Sequence, residues 1–87
     1  MSGGVDPDFE PLRAVVPDAV AAGFAYVGLV ADVRVYRNLD NGRELALDPR
    51  GVAHDVLGGA YWPVPRVAAL HYALGETDRR PMPGRDG

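Results

Sequence analysis

The sequence predicts a small α+β domain: an N-terminal helix, an antiparallel hairpin or three-stranded meander, and two short C-terminal helices. Three observations predict it. Apolar residues recur at spacings of three and four in residues 8–22 and again in 65–74, the period of a helix with one buried face. From Ala25 to Val35 the odd positions are all apolar or small while the even ones are mixed, an alternation that reads as strand. Between them and the C-terminus lies Asp40-Asn41-Gly42, turn chemistry suited to a hairpin.

The elements follow in order. Residues 1–7 and 76–87 are rich in Gly, Pro and charge. They read as flexible tails, with too little apolar surface to offset the entropy of ordering. The single domain is then 8–75. In residues 8–22 the helical face is Leu12, Val15, Val16, Val20 and Ala21. Pro11 and Pro17 complicate one continuous helix, and a short turn with a second start at Pro17 fits equally well. Gly23 is the stop. The alternating stretch that follows is long for one strand, so a bend near Gly28 or Ala31-Asp32 is expected to split it.

Two registers compete in the hairpin. A two-residue Asn41-Gly42 turn would set Val35 against Asp48. A three-residue loop, Asp40-Asn41-Gly42, pairs Arg37 with Leu45, Val35 with Leu47 and Arg34 with Asp48. The second matches apolar with apolar and Arg with Asp, and it places Gly42 where a left-handed residue is needed. A calcium loop would need carboxylates at several alternating positions and a distant Glu. Only Asp40 and Glu44 are available.

After the hairpin, "LDPRGVAHDVLGG" reads as a helix. Asp48 is the candidate N-cap, Pro49 suits the first turn, and Gly58 suits the stop. Val52, Ala53, Val56 and Leu57 share its face, although Gly51 weakens it by about 1 kcal/mol. "GGAYWPVP" reads as a linker, with Trp62 expected in the core and Tyr61 at the surface. The last helix runs from Pro65 to Leu74 on Val67, Leu70, His71 and Leu74, with Gly75 as stop.

Composition narrows the function. Eighty-seven residues make one domain with a small core. The absence of cysteine removes disulfides, thiolate metal sites and cysteine nucleophiles. No apolar run reaches the ~18–20 residues of a membrane span, and the acidic start lacks the basic flank of a signal peptide. A cytoplasmic protein with no membrane partner is expected. All nine basic residues are Arg, a sign of a GC-rich coding genome rather than of function. A net charge of −3 argues against a nucleic-acid partner, which calls for a positive field.

Catalytic parts are scarce. The only Ser and the only Thr, at positions 2 and 77, lie in the tails. His54 and Asp55 are adjacent and, on a helix, would point about 100° apart. His71 sits on an apolar helix face, and two His without Cys show no zinc spacing. No catalytic residue, cofactor or metal is expected. Tyr26, Arg34 and Tyr36 on the even face of the strand, with Tyr61-Trp62 beyond, are residue types that carry interface energy.

One run extends this reading. Leu45-Ala46-Leu47-Asp48-Pro49-Arg50-Gly51, then Val56-Leu57-Gly58 and "PVPRVAALHYAL", resembles the peptide-recognition domain of ribosomal peptide biosynthesis, the family that includes the peptide chaperone of pyrroloquinoline quinone assembly. That resemblance, over about residues 33–74, implies a winged-helix-like fold. It also implies that a leader peptide binds as an added strand along Arg43 to Leu47. The chain departs from the pattern in having no third helix after Leu74.

The expected function is a small non-catalytic module that recognises a peptide or partner protein, through Tyr26, Arg34, Tyr36, Arg43, Leu45 and Tyr61. One alternative is a winged-helix nucleic-acid binder with the hairpin as wing. Another is a small enzyme or metal protein using His54, Asp55 and His71.

Overall fold

The computed structural model describes residues 7–82. The expected 1–7 tail, apart from Pro7, and positions 83–87 lie outside the described residues. A 3-10 turn at Pro7–Phe9 leads into helix α1, Glu10–Arg13, and helix α2 follows at Asp18–Ala21. The helical period is therefore real but interrupted. Pro17 is extended, with ψ at 156°, and without an N–H it cannot continue the preceding turn.

Five strands come next: β1 Phe24–Val30, β2 Val33–Asn38, β3 Glu44–Leu47, β4 Ala53–Leu57 and β5 Ala60–Pro63. They form one antiparallel sheet in chain order, β1-β2-β3-β4-β5. Helix α3, Arg66–Ala73, closes the domain. The long alternating stretch splits as its turn residues suggest. Ala31 and Asp32 both take positive φ, at 50° and 68°, as a two-residue turn of the left-handed kind needs. A bulge separates Tyr26 from Gly28.

The expected fold, with a hairpin or three-stranded meander and two C-terminal helices, is overturned. The sheet has five strands, and the predicted helix after Asp48 is strand β4. Asp48 does cap, but it caps a turn. Its Oδ1 accepts from the N–H groups of Arg50 and Val52, both at 2.9 Å, and Gly51 stands at φ 84°. A left-handed residue there ends any helix and sends the chain back along β3. The winged-helix-like arrangement loses one of its two C-terminal helices with this change.

The register is also corrected. Arg37 pairs with Glu44, Tyr36 with Leu45, Val35 with Ala46 and Arg34 with Leu47, one residue away from the expected three-residue loop. The connection is four residues, Leu39 to Gly42, with the Gly42 N–H donating to Asn38 O at 2.7 Å. Gly42 does take positive φ, 76°. This register places Arg37 beside Glu44 in an ion pair of 3.0 Å. It also puts Tyr36, Leu45 and Leu47 together on the face that the helices cover.

That face holds the core: Leu12, Val16, Ala21, Phe24, Tyr36, Leu45, Leu47, Ala53, Val64, Ala69 and Ala73. On the opposite face Val33, Val35 and Ala46 form a smaller cluster, with Tyr61 packed against it. The segment after α3, expected as a tail, lies against the domain as far as residue 82. Arg43 donates to the carbonyls of Tyr72 and Thr77, at 2.9 and 2.7 Å, and Arg80 binds Asp55 through two hydrogen bonds of 2.7 and 3.0 Å. Among the described residues no helix is long and apolar enough to cross a membrane.

Candidate functional site

The expected binding residues do not form one surface. Leu45 and Tyr36 are core residues, at 1% and 0% exposure. The Tyr36 ring packs between Phe9 and Tyr26, with centroids 5.6 and 5.9 Å away, and its hydroxyl donates to Asp8 O. Burial pushes that hydroxyl up to about 12, so it stays protonated and remains a donor. Arg34 is tied down by Asp8 at 3.2 Å. Tyr26 is half-buried against Tyr36. Arg43 serves as a clamp: it lies 4.3 Å over the Tyr72 ring and pairs with Asp78 at 3.1 Å. Of the edge from Arg43 to Leu47, expected to receive an added strand, Ala46 and Leu47 are covered by β2 on one side and β4 on the other, while Glu44 and Leu45 pair with β2 alone.

Tyr61 keeps a place at a surface opening. The β3–β4 ladder is only two pairs long, Ala46 with His54 and Leu47 with Ala53. Beyond them the strands part, and a cleft of about 210 Å³ opens among Glu44, Ala46, His54, Asp55, Tyr61, Tyr72 and Arg80. Ladder alternation aims the Val56 N–H towards β3, but it donates to Asp55 Oδ1 instead, at 2.9 Å. Asp55 is thus engaged by its neighbour's amide and by Arg80. That partnership also raises the Arg80 guanidinium above its ordinary value. His54 Nδ1 lies 3.1 Å from Val52 O. His71 is on α3, 2.8 Å from Glu76. The three residues of the enzyme alternative are therefore spread over separate partners. Among the described residues no three His, Asp or Glu gather as a metal site.

The aromatic pair departs from expectation at Trp62. Trp62 is 49% exposed, with its indole N–H donating to Leu57 O at 3.2 Å. Tyr61 packs on Val33, Val35 and Ala46, and burial raises its hydroxyl above the ordinary value.

A second surface lies outside the residues the sequence points to. Among the described residues β1 and β5 are the free edges of the sheet. β5 is four residues long and ends in Pro63, which has no N–H to offer. β1 is seven residues, Phe24–Val30, with no charged side chain. Val27, Leu29 and Val30 are about half exposed on it, at 48%, 55% and 48%. The Leu39 N–H donates to Gly23 O at 2.9 Å, which fixes the alternation along β1. The backbone groups of Phe24 and Tyr26 then face away from β2. From the other end, the Val30–Val33 pair flanks the turn, which aims those of Leu29 outward as well. An exposed apolar edge of this length is a template for strand pairing. Beside its first residues lies an open hollow of about 370 Å³ lined by Phe9, Arg13, Asp18, Ala21, Ala22 and Phe24. The alternation in residues 24–30 was legible in the sequence. That β1 is a free edge follows from the order of all five strands, which was not. No protein-family model, curated protein or solved structure matches this chain.

Proposed function

We propose that the domain is a non-catalytic binding module that takes an extended peptide segment of a partner protein as a sixth strand along β1. The observation that carries this reading is the edge itself: seven uncharged residues with the Phe24, Tyr26 and Leu29 backbone turned outward. Main-chain hydrogen bonds supply affinity in such complexes, and alternate side chains supply specificity. The mode is the one expected from the sequence, moved from β3 to β1. A non-catalytic role is supported by the engagement of Asp55 and by the different partners of His54 and His71, Val52 O and Glu76. A net charge of −3 weighs against nucleic acid.

The test is selection of a random-peptide display library on the full chain. The selected peptides are then measured against the double variant Val27→Lys, Leu29→Lys. Both side chains are about half exposed, so the fold is spared, while lysines on an edge oppose pairing. Binding weakened by about tenfold or more, equal to roughly 1.4 kcal/mol, is expected. Peptides that bind the double variant as well as the parent would overturn the edge reading.

A further inference from the structure

Resting on the strand-addition reading above, we infer that the hollow between α2 and β1 is an anchor subsite for one apolar, uncharged side chain of the added peptide. Phe24 belongs to both features. Its backbone lies on the free edge, and its side chain is part of the wall of the hollow. A peptide residue hydrogen-bonded opposite Phe24 sits about 4.7–4.9 Å from β1 and points its side chain to the same face as the Phe24 ring. On that face it meets Phe9, Ala21 and Ala22. The methyl groups of the two alanines leave the space open. The next peptide side chain on this face falls opposite Tyr26, whose ring is already packed on Tyr36.

The charges at the rim decide the chemistry of the occupant. Arg13 and Asp18 close on each other through two hydrogen bonds, both 3.1 Å. The rim therefore offers neither a lone cation for a carboxylate nor a lone anion for an amine. β1 adds no charge of its own. A charged peptide side chain would lose hydration there and gain no partner, whereas an aliphatic or aromatic one loses only contact with water.

The experiment uses peptides selected on the full chain, with the residue opposite Phe24 located by NMR contacts and then replaced singly by Ala or Asp. On the parent protein either replacement weakens binding about tenfold or more. On an Ala22→Phe variant, whose added ring fills the hollow, replacement by Ala costs less than about threefold. Ala22 is exposed at the end of α2, and an unchanged amide spectrum away from the hollow checks the fold. Peptides that lie along β1 but tolerate Ala and Asp at that position overturn the subsite and leave the edge reading standing. An anchor contribution unchanged by Ala22→Phe also overturns it. Peptides that never contact β1 overturn both.

Discussion

The side-chain amide of Asn38 donates to the carbonyl of Ala73 at 2.8 Å, joining the end of β2 to the last turn of α3. Asn38 is 7% exposed, and its Oδ1 accepts from the Asp40 N–H at 2.9 Å. Asn41 reaches the same carbonyl at 3.2 Å. The loop thus supplies donors to a helix end whose last carbonyls have no partner within the helix. Asn38→Ala should cost about 1–3 kcal/mol, because it strips hydrogen bonds from a buried place. Asn41→Ala, at an exposed position, should cost less than about 1 kcal/mol. Urea denaturation of the two variants checks the order. Equal losses would contradict the role given to Asn38.

The Tyr36 hydroxyl is pushed up to about 12 by burial, from an ordinary value of 10. In the folded state it therefore holds its proton longer than in the unfolded state. Stability from this group is complete below about pH 10 and is lost as pH rises towards about 12, by roughly 2–3 kcal/mol in all. Tyr36→Phe should flatten that alkaline decline while costing about 0.5–1.5 kcal/mol at neutral pH, through loss of the bond to Asp8 O. Denaturant melts from pH 8 to pH 12 provide the comparison. A decline just as steep in the variant would count against it.

Trp62 does not take the core role its sequence context suggests, and Tyr61 is half-buried. A half-exposed Trp62 implies that Trp62→Ala costs about 1 kcal/mol, well short of the roughly 3–5 kcal/mol of a buried aromatic. Tyr61→Ala, which uncovers Val33, Val35 and Ala46, should cost about 2 kcal/mol. Thermal or urea melts decide between the two orders.

Arg80 is 58% exposed in its side chain, so its bonds to Asp55 should contribute less than about 1 kcal/mol to global stability. Their effect is local. Arg80→Ala should leave the urea midpoint nearly unchanged while amides of the segment 77–82 exchange faster, since local opening needs much less than global unfolding. An equal rise in exchange across β2 and β3 would contradict a local role.

The sequence revealed the parts whose signals are short-range and unshared. Pro17 divides the N-terminal helical stretch, Ala31-Asp32 turns β1 into β2, and Gly75 follows α3 at φ 79°. It misled where one signal serves two structures. Asp48 and Pro49 suit a helix start, and the same carboxylate suits a turn that reverses the chain. Val52, Ala53, Val56 and Leu57 fit a helical face, but alternation places Ala53, Asp55 and Leu57 on one face of β4 and His54 and Val56 on the other. Asp55 on the helix side hides the period of two, and five residues are too few to separate the periods. Gly58-Gly59 then reads as a helix stop rather than as the turn into β5. The register expected from the sequence rests on pairing within one hairpin. The observed one is set by the helices, which need Tyr36, Leu45 and Leu47 on a common face. The candidate edge on β1 was hidden for the same reason, since an edge belongs to the whole sheet.

Amide hydrogen exchange, read residue by residue with and without a selected peptide, tests most directly whether β1 receives a strand. In the free protein the outward N–H groups of Phe24, Tyr26 and Leu29 should exchange fast, while the Ala25 and Val30 N–H groups, turned towards β2, stay protected. Bound peptide should slow Phe24 and Tyr26 by about tenfold or more, with Leu29 following where the peptide extends past the bulge. Slow exchange of these amides in the free protein, or protection by peptide that falls on the β3–β4 cleft and spares β1, would contradict strand addition at this edge.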